Sequence, residues 1–360
     1  PEEEIESYFV WIPKYSYKLW DLGNYRDFTE TDESKVHSIE IRFGTINTSD
    51  SVSGECTTPG ISGESGNCEV GDYMTHPAFL AFNTTGIWVG KFETGYDGAT
   101  TKTEAQKNTI EVNKAIVKPN VYSWSNIQVA NAFTVSYNYK RELDSHMMKN
   151  TEWGAVAYLS HSIYGINDEI RLNNNSNLLT GYVATAENGS DSTTDVAMWN
   201  TPIGYLASTT GNITGIYDMS GGAYEYVMGV IKDTSENLMS GLNFSYNSGF
   251  NGTLYDGSSI TNGIDFPESK YYDVYNYNVD YNGGYSNRIL GDATGEMGPF
   301  QFQSWKSSWY SDYADFVYSS YPWFRRGGFY NFGSGAGAFF SSNYGGPDSS
   351  SVSFRLVLGV

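Results

Sequence analysis

RRGGFYNFGSGAGAFFSSNYGGPDSSSVSFRLVLGV, residues Arg325 to Val360, is the stretch whose reading decides the fold. The stretch opens around Arg326, Gly327 and Gly328, where the two glycines can supply backbone angles that other residues avoid. The stretch closes on SFRLVL, where alternating Phe354, Leu356 and Leu358 predict a half-buried strand. Between these ends Phe329, Tyr330, Asn331, Phe332, Phe340, Ser342, Asn343 and Tyr344 are interspersed with Gly and Ser. Stiff rings beside small, adaptable hydrogen-bonding groups are the ingredients of a recognition surface. The same composition also describes a plain Gly/Ser loop leading into a terminal strand, and the residues alone leave both readings open.

The rest of the chain narrows the setting. Its 360 residues, 39% of them hydrophobic, are enough for a packed core, so the protein is globular and not disordered. With 41 acidic against 21 basic residues the formal charge is −20, which repels nucleic acid and anionic lipid. Only 17% of residues are charged and 30 are Tyr, so the surface is built largely from Tyr, Asn, Ser, Thr and Gly, a composition suited to extracellular recognition. No apolar run approaches membrane-spanning length, so no direct membrane insertion is expected. The opening PEEEIES has no signal-peptide pattern, which for a secreted protein points to a trimmed chain or to a mature piece of a longer one.

Cys56 and Cys68, the two cysteines, lie in a Gly/Ser/Thr/Glu loop where a disulfide would close a small ring outside the core. Such a bond implies an oxidising compartment; two free thiols are the alternative. Zinc would need more ligands than this loop offers.

Along the chain, Tyr8 to Trp20 reads as a bent strand or strand pair around Pro13, and Ile87 to Phe92 as a central strand. Apolar residues Ile127, Ala130, Phe133 and Val135 fit one helix. Trp153, Val156, Ala157 and Leu159 fit a second, capped by Asn150 or Thr151 and ending before Gly165. Polar, Gly-rich stretches near 46–72 and 232–300 read as insertion loops, the second lying over the core. Two helices, short strands and long loops, with no convincing hinge, predict a single α+β domain over residues 1–360.

The order of motifs resembles the formylglycine-generating-enzyme (sulfatase-modifying-factor) domain, a variant of the C-type lectin fold. Six stretches carry the resemblance: FVWIPKYSY, GIWVGKFETG, PNVYSWSNI, KNTEWGAVAYLS, GIYDMSGGAYEYV, and the RRGG-to-SFRLVL ending. KNTEWGAVAYLS has one residue fewer between Thr151 and Trp153 than the family pattern. The resemblance implies a C-type lectin-like fold of that subtype. The family's enzymes use cysteines just after the Arg-Gly-Gly as nucleophile and copper ligand. Here Phe329, Tyr330, Asn331 and Phe332 stand there, so the oxidase chemistry is expected to be absent.

In that family the turn near Asp218 can hold calcium, which would carry over to Gly221, Ala223 and Glu225. Gly222 replaces the family's Asn and one carboxylate is thin for an ion that wants six to eight oxygens, so a structural turn is the competing reading. No other cofactor is expected. The four His residues fall in no metal-ligand spacing, and Asp312 with Asp315 reads as a chance pair on a solvated loop rather than a catalytic dyad.

The tail resembles more closely the variable proteins of diversity-generating retroelements, which use the same fold and end in a variable segment, here 326–360. Adenine-directed diversification turns Asn codons toward Tyr, Ser, Asp, Phe and Gly, the palette that fills Phe329 to Ser353. The resemblance implies a non-catalytic adhesin or receptor-binding protein on a bacterial surface or phage virion, recognising a protein or glycan on a cell surface. Arg326, Phe354 and Leu356 are then expected to be scaffold. An altered enzyme of the formylglycine-generating class, or a structural module of a pilus or virion, are the alternatives.

Overall fold

The computed structural model describes residues 5–21, 36–44, 55–58, 66–82, 84–172, 199–200, 202, 204–239, 248–254, 256–277, 288–302 and 305–360. Much of the expected 46–72 loop and parts of the 232–300 stretch lie outside these residues. The architecture is mixed α+β, with two eleven-residue helices and many short strands. Frequent Gly, Asn and Ser interrupt the runs of β-formers, which keeps each strand at two to five residues.

Two four-stranded sheets organise the chain. The first runs Phe9–Pro13, Gly86–Gly90, Leu356–Leu358, His146–Met147, all antiparallel. The second runs Ser341–Tyr344, Trp323–Arg326, Tyr224–Tyr226, Val352–Phe354, with only the last pair parallel. The expected single half-buried terminal strand is therefore two strands, one in each sheet, separated by Arg355. Residues 352–359 are all buried, because both faces of this ending are covered; the alternation of Phe354, Leu356 and Leu358 marks no solvent side.

Both predicted helices form, as Val129–Tyr139 and Asn150–Ser160. The second is buried nearly all round, so it lies within the core instead of on its surface. Gly154 allows this: a Cβ there would sit 1.8 Å from the carbonyl oxygen of Gly291. Its start is capped differently from expectation. The Glu152 carboxylate accepts from the Lys149 backbone N–H (2.8 Å), and Asp273 accepts from Thr151 N–H (2.7 Å). Asn150 is diverted to Tyr275 and Arg326.

The 232–300 stretch does more than overlie the core. Asp273–Tyr275 pairs in parallel with Gly229–Ile231, and Phe250 and Tyr275 are fully buried core residues. Cys56 and Cys68 form a disulfide, and Cys56 packs into the core, against the expectation of a ring outside it. Among the described residues, no helix is long and apolar enough to cross a membrane.

Candidate ligand-binding cleft

The strand Trp323–Arg326 sends successive side chains to opposite faces, and its two arginines part company. Arg326 enters the core, donating to Asn150 Oδ1 (3.2 Å) and to the carbonyls of Asp292 (3.3 Å) and Ala293 (2.8 Å) above the Trp153 ring. Phe354 and Leu356 are likewise fully buried. Arg325 faces the other way, into a cleft of about 770 Å³.

After Arg326 the chain turns sharply. Gly327 and Gly328 have φ of +83° and +75°, and a Cβ on Gly328 would lie 2.6 Å from Ala336. The Gly327 carbonyl accepts from both Gly221 and Gly337 N–H (3.0 Å each), tying the base of the loop to the turn before Tyr224–Tyr226. Phe329 and Tyr330 then point inward, packing with Ala223 and Tyr224. Both are buried, Tyr330 at 9% exposure, so they do not form the surface that composition implied. Phe332, at 44% exposure, and Asn331 form the exposed tip. Phe340 is 1% exposed and lies as floor against Tyr224 and Tyr313.

Of the eight residues expected to bind ligand, the cleft brings together Phe332, Phe340, Ser342 and Asn343. Tyr344 instead supports Arg325 from beneath, its ring centroid 4.2 Å from the guanidinium carbon. The facing wall comes from a segment the sequence marked only through the Asp312 and Asp315 pair: Lys306, Ser307, Tyr310, Ser311, Tyr313 and Asp315. Tyr224 completes the lining from the second sheet.

This wall is tied down by polar contacts. Asp312, expected on a solvated loop, is buried at 4% exposure, its carboxylate accepting from Phe339 N–H (2.9 Å); burial drives its pKa far up. The Tyr313 hydroxyl donates to Asp315, whose carboxyl is also pushed up by burial, and Lys306 Nζ lies 3.8 Å from Asp315. The two aspartates therefore serve different partners. Tyr310 and Ser311 are consecutive non-glycine residues at φ +60° and +68°, a conformation that side chains resist. Strain of this kind persists where surrounding structure over-determines it.

Three positions had been marked for calcium. Both Glu225 oxygens are taken by Arg355, with Nε donating to Oε2 at 3.0 Å and Nη2 donating to Oε1. Burial pushes the Glu225 carboxyl up to about 7, with Arg355 opposing it. The Ala223 N–H donates to Glu93 Oε1 (2.7 Å), and Gly221 makes the contact to Gly327. The one side-chain ligand of the calcium set is thus engaged in an ion pair. Among the described residues, no group of three or more His, Cys, Asp or Glu is placed to hold a metal.

No protein-family model matches the chain, and no curated protein matches it in sequence. Among solved structures it is similar to Treponema denticola variable protein 1, at 12% identity and a TM-score of 0.35, covering 85% of this chain and 93% of that one.

Proposed function

We propose that the protein is a non-catalytic ligand-binding module of an adhesin or receptor-binding protein. Its scaffold would be a C-type lectin-like fold of the formylglycine-generating-enzyme subtype, and its cleft the recognition site. One observation carries this reading: a segment clamped at both ends by buried strands delivers Phe332, Phe340, Ser342 and Asn343 to one concavity. A cleft of a few hundred Å³, mostly apolar with a few convergent polar groups, is the usual form of a ligand site. Its lining carries neither cysteine nor histidine, and the strained Tyr310–Ser311 backbone sits on its rim. The disulfide suits an oxidising location, on a bacterial surface or phage virion.

The test probes arrays of glycans and of cell-surface proteins with the native protein and with Phe332→Ala and Asn343→Ala. Bound features are expected to vanish in the variants while the melting temperature of Phe332→Ala stays near that of the parent; Asn343→Ala also removes the Nδ2 donor to the Phe316 carbonyl (3.1 Å) and is expected to melt somewhat lower. Features retained by both variants would place recognition elsewhere. Diversification of residues 326–360 has its own check, a near-copy of their coding sequence beside a reverse transcriptase gene. Without such a copy that part of the reading is dropped and the binding role stands.

A further inference from the structure

The cleft belongs to a chain of formal charge −20, yet among its lining residues two are basic and one is acidic. Lys306 is within 3.8 Å of that one carboxylate, Asp315. Arg325 has no carboxylate partner among the described residues. Its Nε donates to Ser342 Oγ (3.2 Å), and its guanidinium carbon lies 4.7 Å from the Tyr224 ring centroid and 4.2 Å from that of Tyr344. Stacking against two rings restricts the guanidinium plane, while the Nη groups keep their donors for a ligand. A planar, pre-oriented fork of this kind matches a carboxylate.

The remaining lining narrows the ligand further. Hydroxyls and an amide, from Ser307, Ser334, Ser342 and Asn343, alternate with the ring faces of Tyr313 and Phe332. A sugar offers both partners at once, with C–H faces for the rings and hydroxyls for the polar groups. An extended peptide would gain most by adding a strand to the edge strand Ser341–Tyr344. That edge is already occupied at Ser341, whose carbonyl accepts from Asp315 N–H (2.9 Å) and whose N–H donates to the Tyr313 carbonyl (3.0 Å).

We propose that the cleft binds a carboxylated sugar within a glycan, its carboxylate on Arg325 and its ring against Phe332 and Tyr313. This rests on the cleft being the recognition site. The ion pair makes binding salt-sensitive, so a charge introduced at position 334, on the exposed rim of the cleft, shifts affinity for the acidic form.

Calorimetric titration of the native protein tests it. The probes are a galacturonate trimer and a hyaluronan tetrasaccharide, each beside its carboxyl-reduced counterpart, and a glutamate-rich peptide. At least one acidic sugar is expected to bind about tenfold or more tightly than its reduced form. Arg325→Gln should make the two bind equally. In case that variant folds poorly, Ser334→Glu should weaken and Ser334→Lys strengthen the acidic form alone, by about two- to fivefold. Equal binding of acidic and reduced sugars, or binding of the peptide alone, overturns the inference. It leaves the cleft reading intact if Phe332→Ala still abolishes that binding. No binding by any probe also overturns the inference, and binding that ignores Phe332 overturns the cleft reading with it.

Discussion

Arg355 holds Glu225 in a fully buried ion pair at the seam between the two sheets, and its remaining donors reach the carbonyls of Gly90 (2.9 Å) and Tyr217 (3.0 Å). Removing one partner of such a pair strands the other charge in the interior. Glu225→Gln is therefore expected to lose about 3 to 5 kcal/mol of stability, read from urea unfolding. A loss under about 1 kcal/mol would show that the neighbouring Glu93 carboxylate can neutralise Arg355 by itself.

Two phenylalanines of the same loop should behave oppositely. Phe340→Ala empties the floor of the cleft and is expected to cost about 3 to 5 kcal/mol. Phe332→Ala removes a half-exposed ring and should stay within about 1 kcal/mol of the parent while abolishing ligand binding. Tyr330→Ala belongs with the first class because its ring packs on Phe329 (centroids 4.7 Å apart). Thermal unfolding of the three variants separates the classes, and a destabilised Phe332→Ala would mean that this ring is structural.

That contrast shows what the sequence could and could not reveal. The unusual backbone of Gly327 and Gly328 and the two helices were legible because each rests on a local rule, φ freedom or helical period; the strand character of the tail's end was legible too, but its division into two strands covered on both faces was not. Of the residues marked for binding, half line the candidate cleft. A Gly/Ser/aromatic mixture has no period, so nothing in it distinguishes inward Phe329 and Tyr330 from outward Phe332. Strand alternation separates Arg325 from Arg326 but does not say which face meets the core. The opposite wall, Lys306 to Asp315, meets the tail only through long-range pairing such as Ala314 with Ser341, which carries no local signature.

A third prediction concerns pH. Glu296 is wholly buried, accepts from Tyr158, Tyr17 and the Gly291 N–H, and is pushed by burial up to about 7. Its folded pKa lies above the unfolded value, so its contribution to stability is full below about pH 4.5 and is lost as pH rises through about 7. Glu296→Gln mimics the protonated form. Relative to this variant the parent should lose urea resistance between pH 5 and pH 8, and parallel profiles would contradict the assignment.

Ser311→Gly tests the strained rim. A residue at φ +68° is relieved by glycine, so the variant is expected to be neutral or more stable by up to about 1 kcal/mol. The melting temperature reports this directly, and a clear loss would mean that the serine side chain makes up for its backbone.

The disulfide gives a fifth test. Because Cys56 packs into the core, Cys56→Ser with Cys68→Ser loses both the cross-link and an apolar contact, about 2 to 4 kcal/mol together. Unchanged thermal stability would return the ring to the periphery.

The division of the chain at Arg355 also sets an order of events. Leu356–Leu358 fills the middle of the first sheet, between Gly86–Gly90 and His146–Met147, while Val352–Phe354 borders the second. A nascent polypeptide synthesised only as far as Ser351 has a gap in one sheet and a missing margin in the other. Neither can close until the ribosome has delivered the residues that follow. Folding is therefore postponed to the end of this stretch, dominated by contacts of long loop closure, and slow compared with helical proteins of similar size. A chain that still lacks those seven residues, 352–358, leaves core aromatics such as Trp124, which packs on Phe354, without their partners, and that uncovered surface is what a chaperone would have to shield.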